Sequence, residues 1–233
     1  DIARSFAREG ARAAINYRNS KEAAEQLATE LGDRARAFHC DIRDAQAVKG
    51  MVAEIVETLG APTTVVHNAL ADFTFNGDAR KKLDTIEWQD FNSHAETALG
   101  GALNLIHAVR PAMEEKNFGR IIHIGTNLFH NPVVPYHDYT ASKASLLSLT
   151  RTAAHELGPH GITVNMVSGG LLKTTDASAG TPEAVFDYIA QTTPLRSVTT
   201  PAELADTVLF FASPWGRAVT GQNLVVDGGL VFN

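Results

Sequence analysis

Two side chains four residues apart, Tyr139 and Lys143, could together carry out acid–base chemistry. On a helix this spacing places them on one face. A free phenol has a pKa of about 10 and is a poor proton donor or acceptor at working pH, but a nearby ammonium group lowers that pKa. Thr126 ends an apolar run thirteen residues earlier, and its hydroxyl could donate to a carbonyl oxygen held beside the phenol. The same spacing also arises by chance as a surface pair, so the surrounding elements must decide.

The pattern along the chain predicts an α/β fold. Short apolar runs, typical of strands covered on both faces, alternate with amphipathic stretches that end at glycine or proline. The predicted strands are 12–17, 34–40, 63–68, 120–125, 162–167 and 223–226. The predicted helices are 1–9, 21–31 with Ser20 as its cap, 44–59, 85–116, 139–157, 182–192 and 201–212. This alternation implies right-handed βαβ units and a doubly wound, Rossmann-like parallel sheet in a single domain, 1–233. Ligands bind such sheets at the carboxyl ends of the strands.

Composition excludes several classes of protein. A net charge of −6 and a pI of about 5.8 argue against nucleic-acid or anionic-membrane partners. The single cysteine, Cys40, excludes an internal disulfide and a cysteine-built zinc site, and the histidines do not cluster with carboxylates at ligand spacing, so we expect no metal. No apolar run approaches the roughly 18 residues of a membrane span, and no signal peptide is visible. We therefore expect a cytoplasmic location.

The segments around Tyr139 and Lys143 resemble the short-chain dehydrogenase/reductase family, and within it the 3-oxoacyl-acyl-carrier-protein reductases. The resemblance covers essentially the whole chain, with the motifs in family order and spacing. The motifs are Ile121-Ile122-His123-Ile124-Gly125-Thr126, Tyr139-Thr140-Ala141-Ser142-Lys143-Ala144, Gly161-Ile162-Thr163-Val164-Asn165, Pro194-Leu195-Arg196, Pro201-Ala202-Glu203-Leu204-Ala205, Thr220-Gly221-Gln222 and Val226-Asp227-Gly228-Gly229.

The resemblance implies hydride transfer between a nicotinamide cofactor and a ketone or 3-oxoacyl substrate. By this resemblance Tyr139 is the general acid/base, Lys143 lowers its pKa and holds the nicotinamide ribose, and Thr126 replaces the usual serine that orients the substrate oxygen. The expected substrate is a small molecule or a group carried by an acyl-carrier protein. Segment 171–188 looks like a lid over the substrate site. Phe73 and Phe75 are among the side chains that suggest an apolar wall of this site. The resemblance also implies a homotetramer, packed through the 85–116 and 139–157 helices and the last strand.

The choice of cofactor follows from charge at the end of the second family strand. Members that prefer NAD carry an acidic residue there, which binds the adenosine ribose hydroxyls. This chain has Tyr17 followed by Arg18, and an arginine can pair with a 2′-phosphate instead. We therefore expect NADP (NADPH). Further positions match the family's cofactor contacts. These are Asp41 and Ile42 after the third family strand, Asn68 and Ala69 after the fourth, and Gly170 and Thr174 after the sixth.

Four departures from the family pattern bear on activity. The family's first strand and its glycine-rich loop are absent from the printed sequence, and we expect roughly twenty or more residues to precede Asp1. Ala98 stands at the position of the relay asparagine, and Leu70 at the glycine of Asn-Ala-Gly. Gly169-Gly170 replaces the usual Pro-Gly, which predicts a more mobile loop.

Two other functions remain open from the sequence. Tyr136 lies seven residues before Lys143, which is the spacing of the enoyl-reductase branch, although it could equally be a pocket wall. We prefer Tyr139 because Thr126 lies at the family distance from it. The departures at Ala98 and Leu70 and the missing loop would also suit a non-catalytic nucleotide-binding member of the family.

Overall fold

The computed structural model describes residues 1–71, 73, 75–76 and 78–232. The strands are β1 Ala13–Tyr17, β2 Ala35–His39, β3 Thr64–His67, β4 Gly119–Thr126, β5 Ile162–Gly169 and β6 Asn223–Val226. The helices are α1 Ile2–Arg8, α2 Lys21–Leu31, α3 Ala45–Leu59, α4 Trp88–Ala95, α5 Gly101–Glu115, α6 His137–Leu157, α7 Glu183–Thr192 and α8 Pro201–Ala212.

All strand pairs in the described residues are parallel, which confirms the predicted fold class. β1 pairs with β2, and β3, β4, β5 and β6 form a second sheet in that order. Helices cover both faces of the larger sheet. One apolar cluster packs α3, α5 and α6 against β4 and β5, and another packs α8 and α1 on the opposite side. The carboxyl ends of the parallel strands therefore share one edge, where the candidate site lies.

One local prediction is confirmed in outline and one is wrong. The 85–116 stretch is helical for most of its length, as predicted, but a π-helical turn, Glu96–Gly100, joins α4 to α5, and the chain packs tightly just after it. A Cβ at Gly101 would overlap Ile42 Cδ1, so only glycine permits this approach. Ser20 makes no side-chain cap hydrogen bond to α2, whereas Asp44 caps α3 by accepting from the backbone N–H groups of Gln46 and Ala47.

A cavity of about 940 Å³ separates the two sheets. Its walls include the facing strands β1 and β3, through Ala13, Ile15 and Thr64, and the start of α1. In the described part of the chain no strand lies between β1 and β3. The backbone groups on these facing edges are therefore without the ladder partners that a strand would provide.

Candidate active site

The structure brings together Thr126, Tyr139 and Lys143. Thr126 is the last residue of β4, and its hydroxyl lies near the phenol of Tyr139, which is in the first turn of α6. One turn further along α6, Lys143 Nζ donates to the Ile124 carbonyl oxygen at 2.7 Å and lies 6.0 Å from the centre of the Tyr139 ring. All three side chains are buried. A phenol, a hydroxyl and an ammonium group thus meet at the carboxyl end of a central strand.

The pKa of the phenol shifts in the direction opposite to that expected from Lys143. Burial raises the pKa of Tyr139 to about 12, and the nearby Thr126 hydroxyl only partly offsets this. Burial also lowers the pKa of Lys143 to about 8, because its ammonium group is withdrawn from water. The lysine turns towards the carbonyl of Ile124. In this closed arrangement the phenol is held protonated.

An aromatic ring closes the site. The ring of Phe73 lies nearly parallel to that of Tyr139, with 4.6 Å between centroids and 23° between planes. The backbone N–H of Phe75 donates to the Ala177 carbonyl oxygen at 3.1 Å, which ties this segment to the 171–188 region. Only 5 % of Tyr139 remains exposed. Phe73 therefore covers one face of the phenol ring.

A buried carboxylate precedes Tyr139 and holds the covering segment. Asp138 accepts from the backbone N–H of Tyr139 at 2.9 Å and pairs with the guanidinium group of Arg80 through both oxygens. His94 of α4 lies 3.4 Å from the same carboxylate, and burial lowers the pKa of its imidazole. The predicted site residues did not include Arg80, His94 or Asp138. The acidic side chain in the first turn of α6 was the one available signal.

Two buried histidines lie side by side behind the site. His67 of β3 and His123 of β4 are register partners, with ring centroids 6.0 Å apart. His67 Nε2 is 3.0 Å from the Ala98 carbonyl oxygen in the π-helical turn, so it must carry the proton and donate. The Thr150 hydroxyl donates to the Leu146 carbonyl oxygen, so His123 Nδ1, 2.8 Å from that hydroxyl, must donate to it. Burial lowers the pKa of His67 to about 4 and that of His123 to about 3, so both rings are neutral at pH 7.

The Ala98 carbonyl matters because the family's relay asparagine would lie at this residue. Here that carbonyl accepts a hydrogen bond from His67 Nε2. Asn104, also close in sequence, donates instead to the carbonyl oxygens of Ile42 and Arg43 at 2.9 and 3.1 Å and fastens the loop after β2. Its amide is therefore engaged by the loop after β2.

The ends of β1 and β2 form a charged corner. Arg43 pairs with both oxygens of Asp41, and Arg18 adds a further attraction. The hydrogen bonds from Arg43, more than Arg18, lower the pKa of Asp41 to about 2. Tyr17 packs its ring 5.4 Å from that of His39. This corner thus holds the guanidinium groups of Arg18 and Arg43 beside the carboxylate of Asp41.

The remaining predicted cofactor contacts differ in exposure. Ile42 is buried in the core against Gly101, and Ala69 packs beside the same core. Asn68 is exposed and lines the cavity between β1 and β3. Gly170 is close-packed, because a Cβ there would lie 3.1 Å from the Cβ of Asp227. Thr174 is exposed on the loop after β5.

The described residues contain neither a cluster of metal ligands nor a helix that could span a membrane. Within residues 1–71, 73, 75–76 and 78–232, no group of three or more His, Cys, Asp or Glu side chains could hold a metal ion. None of the helices in that part of the chain is both long enough and apolar enough to cross a membrane.

Comparisons with known proteins agree with this geometry. A family model described as enoyl-(acyl carrier protein) reductase matches residues 1–231. The 3-oxoacyl-[acyl-carrier-protein] reductase FabG of Staphylococcus epidermidis is 32% identical over 234 residues, covering 98% of this chain and 92% of the relative. The short-chain reductase protein NovJ of Streptomyces niveus is 33% identical over 204 residues, covering 85% of this chain and 75% of the relative.

Solved structures show the same fold. A gluconate 5-dehydrogenase from Burkholderia cenocepacia, in complex with NADP and tartrate, matches with a TM-score of 0.86 at 28% identity, over 98% of this chain and 89% of that one. A blue fluorescent protein from a metagenomic library, in complex with NADPH, matches with a TM-score of 0.85 at 31% identity, over 99% and 92%. The parallel sheet and its Thr-Tyr-Lys site define an α/β oxidoreductase. The chain belongs to the short-chain dehydrogenase/reductase family.

Proposed function

We propose that the protein is an NADPH-dependent ketoreductase in which Tyr139 is the general acid. The observation that carries this proposal is that the Thr126 hydroxyl lies near the buried Tyr139 phenol, with Lys143 one helical turn away. Both hydroxyls can donate to a single carbonyl oxygen placed between them. When bound, NADPH supplies the hydride that the carbonyl carbon receives. Tyr139 gives its proton to the carbonyl oxygen, which becomes the alcohol.

Lys143 supports this proton transfer. Its ammonium group has three N–H donors, and the Ile124 carbonyl accepts one of them. The others suit hydroxyl groups of a ribose. The positive charge favours the phenolate that remains after the proton leaves, and the phenolate regains a proton from solvent. Lys143 thereby counteracts the burial that raises the pKa of the phenol.

Separate substitutions of the two tyrosines test the assignment. Tyr139→Phe should lower kcat/KM for ketone reduction by roughly 10²- to 10⁴-fold, the usual contribution of a positioned acid. Tyr136→Phe is the matched control, since its ring lies in the same aromatic group, and it should retain most of the activity. Loss of activity in Tyr136→Phe alone, with an enoyl thioester as the better substrate, would instead support the enoyl-reductase alternative. NADPH binding without turnover of any carbonyl compound would support the non-catalytic one.

The charged corner favours NADP over NAD. Its guanidinium groups, those of Arg18 and Arg43, are of the type that pairs with a 2′-phosphate, and the two structural neighbours above were solved with NADP and NADPH. Arg18→Ala should weaken NADPH use by roughly 10- to 100-fold in kcat/KM, as expected for one charge-assisted hydrogen bond, and leave NADH use nearly unchanged. Arg36→Ala, an exposed arginine of β2, is the control. Equal effects on both cofactors would contradict this assignment.

We also propose that the cavity between β1 and β3 holds one more parallel strand, whose glycine-rich turn contacts the cofactor's pyrophosphate. The support is the pair of facing strand edges and the cavity of about 940 Å³ between them. Mass spectrometry of active protein purified from its source should give a mass above 25.0 kDa. Full activity at 25.0 kDa would contradict the proposal.

A homotetramer working in the cytoplasm, on small or acyl-carrier-protein-linked substrates, completes the proposal. Apolar side chains are exposed on α4, α5 and β6, namely Trp88, Leu103 and Leu224. Light scattering should give a tetramer mass, and Leu103→Asp should lower it by placing a charge on that surface. A wild-type monomer at assay concentration would contradict the assembly. The FabG relative's name includes an acyl-carrier-protein substrate, and such thioesters belong in the first substrate panel.

A further inference from the structure

The side chains around Phe73 form a slot for one flat ring. Tyr139 stacks on Phe73, as described above, and the guanidinium carbon of Arg80 lies 4.6 Å from the centre of the Phe73 ring. Three further rings meet Phe73 at steep angles, at centroid distances between 5.1 and 5.5 Å: Phe75 at 78°, His94 at 81° and Tyr136 at 90°. These are the stacked and edge-to-face geometries that aromatic rings prefer.

The charged group that lies over the Phe73 ring is paired. The guanidinium group of Arg80 is paired with Asp138, and burial lowers the pKa of His94, which keeps its imidazole neutral. A ligand carboxylate or phosphate would have to compete with Asp138 for Arg80. A neutral ring keeps that ion pair, and a ring with an electron-rich face also keeps the attraction of the guanidinium group.

Phe73 occupies the space that any other ring stacked on Tyr139 would take. It covers one face of the phenol ring, and little of Tyr139 is exposed, so a ring-bearing ligand that packs there must displace it. We propose that the substrate ring takes the place of Phe73 against Tyr139, and that the substrate is therefore a ketone with a flat, uncharged aromatic or conjugated ring next to its carbonyl group. This inference rests on the ketoreductase function proposed above.

The exchange of rings explains how such a substrate enters. The incoming ring regains the stacking on Tyr139 and the edge contacts with Tyr136 and His94 that Phe73 gives up. A saturated ring of the same size is puckered and has no π face, so it regains only the burial of its apolar surface. The slot therefore discriminates by flatness more than by size.

A matched pair of ketones tests this discrimination. Acetophenone and cyclohexyl methyl ketone share one carbon skeleton and differ in the flatness of the ring. With NADPH as reductant, kcat/KM for acetophenone should exceed that for the saturated ketone by about two- to tenfold, the worth of an aromatic contact. Equal values for the two ketones, with both reduced, would overturn the inference and leave the ketoreductase function intact. No reduction of any ketone would instead contradict the proposed function.

The variant Phe73→Leu tests whether Phe73 competes with the ligand. Leucine keeps an apolar side chain and removes the ring, so the KM for acetophenone should fall by about two- to tenfold with kcat little changed. Phe118→Leu is the control, because Phe118 adjoins the opposite end of β4 and packs on Arg120. Ligand-observed NMR with acetophenone and protein alone gives a readout without turnover, and binding should be tighter in Phe73→Leu. Weaker binding or a higher KM would show that Phe73 is a wall of the pocket and would overturn the proposal.

Discussion

The two buried histidines should make the protein sensitive to acid. Burial, with added repulsion from Lys143, lowers the pKa of His67 to about 4, and the same causes with the neighbouring His67 lower that of His123 to about 3. In the unfolded chain both pKa values lie near 6.5. Below this pH both histidines bind a proton in the unfolded chain but not in the folded protein. Folding stability therefore falls as the pH falls from about 6.5 towards the folded-state pKa values.

The magnitude follows from the pKa differences. pH 5 is about 1.5 units below the histidine pKa of the unfolded chain, so both histidines are protonated there, whereas both remain neutral in the folded protein. Each therefore costs about 2 kcal/mol, and the pair about 4 kcal/mol, relative to pH 7.5. Such a loss is a large fraction of the 5–15 kcal/mol typical of a folded domain.

Urea unfolding at pH 7.5 and at pH 5 measures this effect. The double variant His67→Asn/His123→Asn should lose about 4 kcal/mol less than the wild type between the two pH values, and each single variant about 2 kcal/mol less. An asparagine at position 67 keeps an N–H donor for the Ala98 carbonyl, and the comparison uses the pH dependence of each variant, so a lower starting stability does not matter. His107→Asn is the control, because His107 is exposed on α5. Equal losses in the wild type and the double variant would refute the reasoning.

Three further predictions concern stability and are checked by urea or thermal unfolding at neutral pH. Asp44→Ala should cost about 1 kcal/mol by removing the cap of α3, with Asp44→Ser as the control that keeps a cap; equal losses would contradict this. Gly125→Ala should cost about 1–3 kcal/mol, because its Cβ would overlap Ser168 Oγ, and an unchanged midpoint would contradict it. Gly161→Ala should cost more than about 2 kcal/mol, because φ is +68° and the Cβ would overlap a backbone carbonyl; Gly50→Ala, with open space around it, should be harmless.

The sequence determined the elements because each reflects a local pattern. The bounds of α2, α8 and β6 agree with their predicted ranges, since capping, periodicity and turn residues act over a few positions. The π-helical turn inside the predicted 85–116 helix could not be predicted from local patterns. It lies just before a close packing of Gly101 on Ile42, which is a contact between residues far apart in sequence.

Residue types and spacing were enough to predict the family and the three residues Thr126, Tyr139 and Lys143. They also predicted the edge of the sheet where these residues lie, because strand order and helical spacing fix their positions. The burial and the charge partners of these side chains depend on tertiary contacts. Burial under Phe73 raises the pKa of Tyr139, whereas the sequence indicated the opposite direction. The ion pair of Arg80 with Asp138 joins residues 58 positions apart, and no local pattern encodes such a contact. The residues proposed to do the chemistry are thus readable from the chain, but their protonation depends on what the fold places around them.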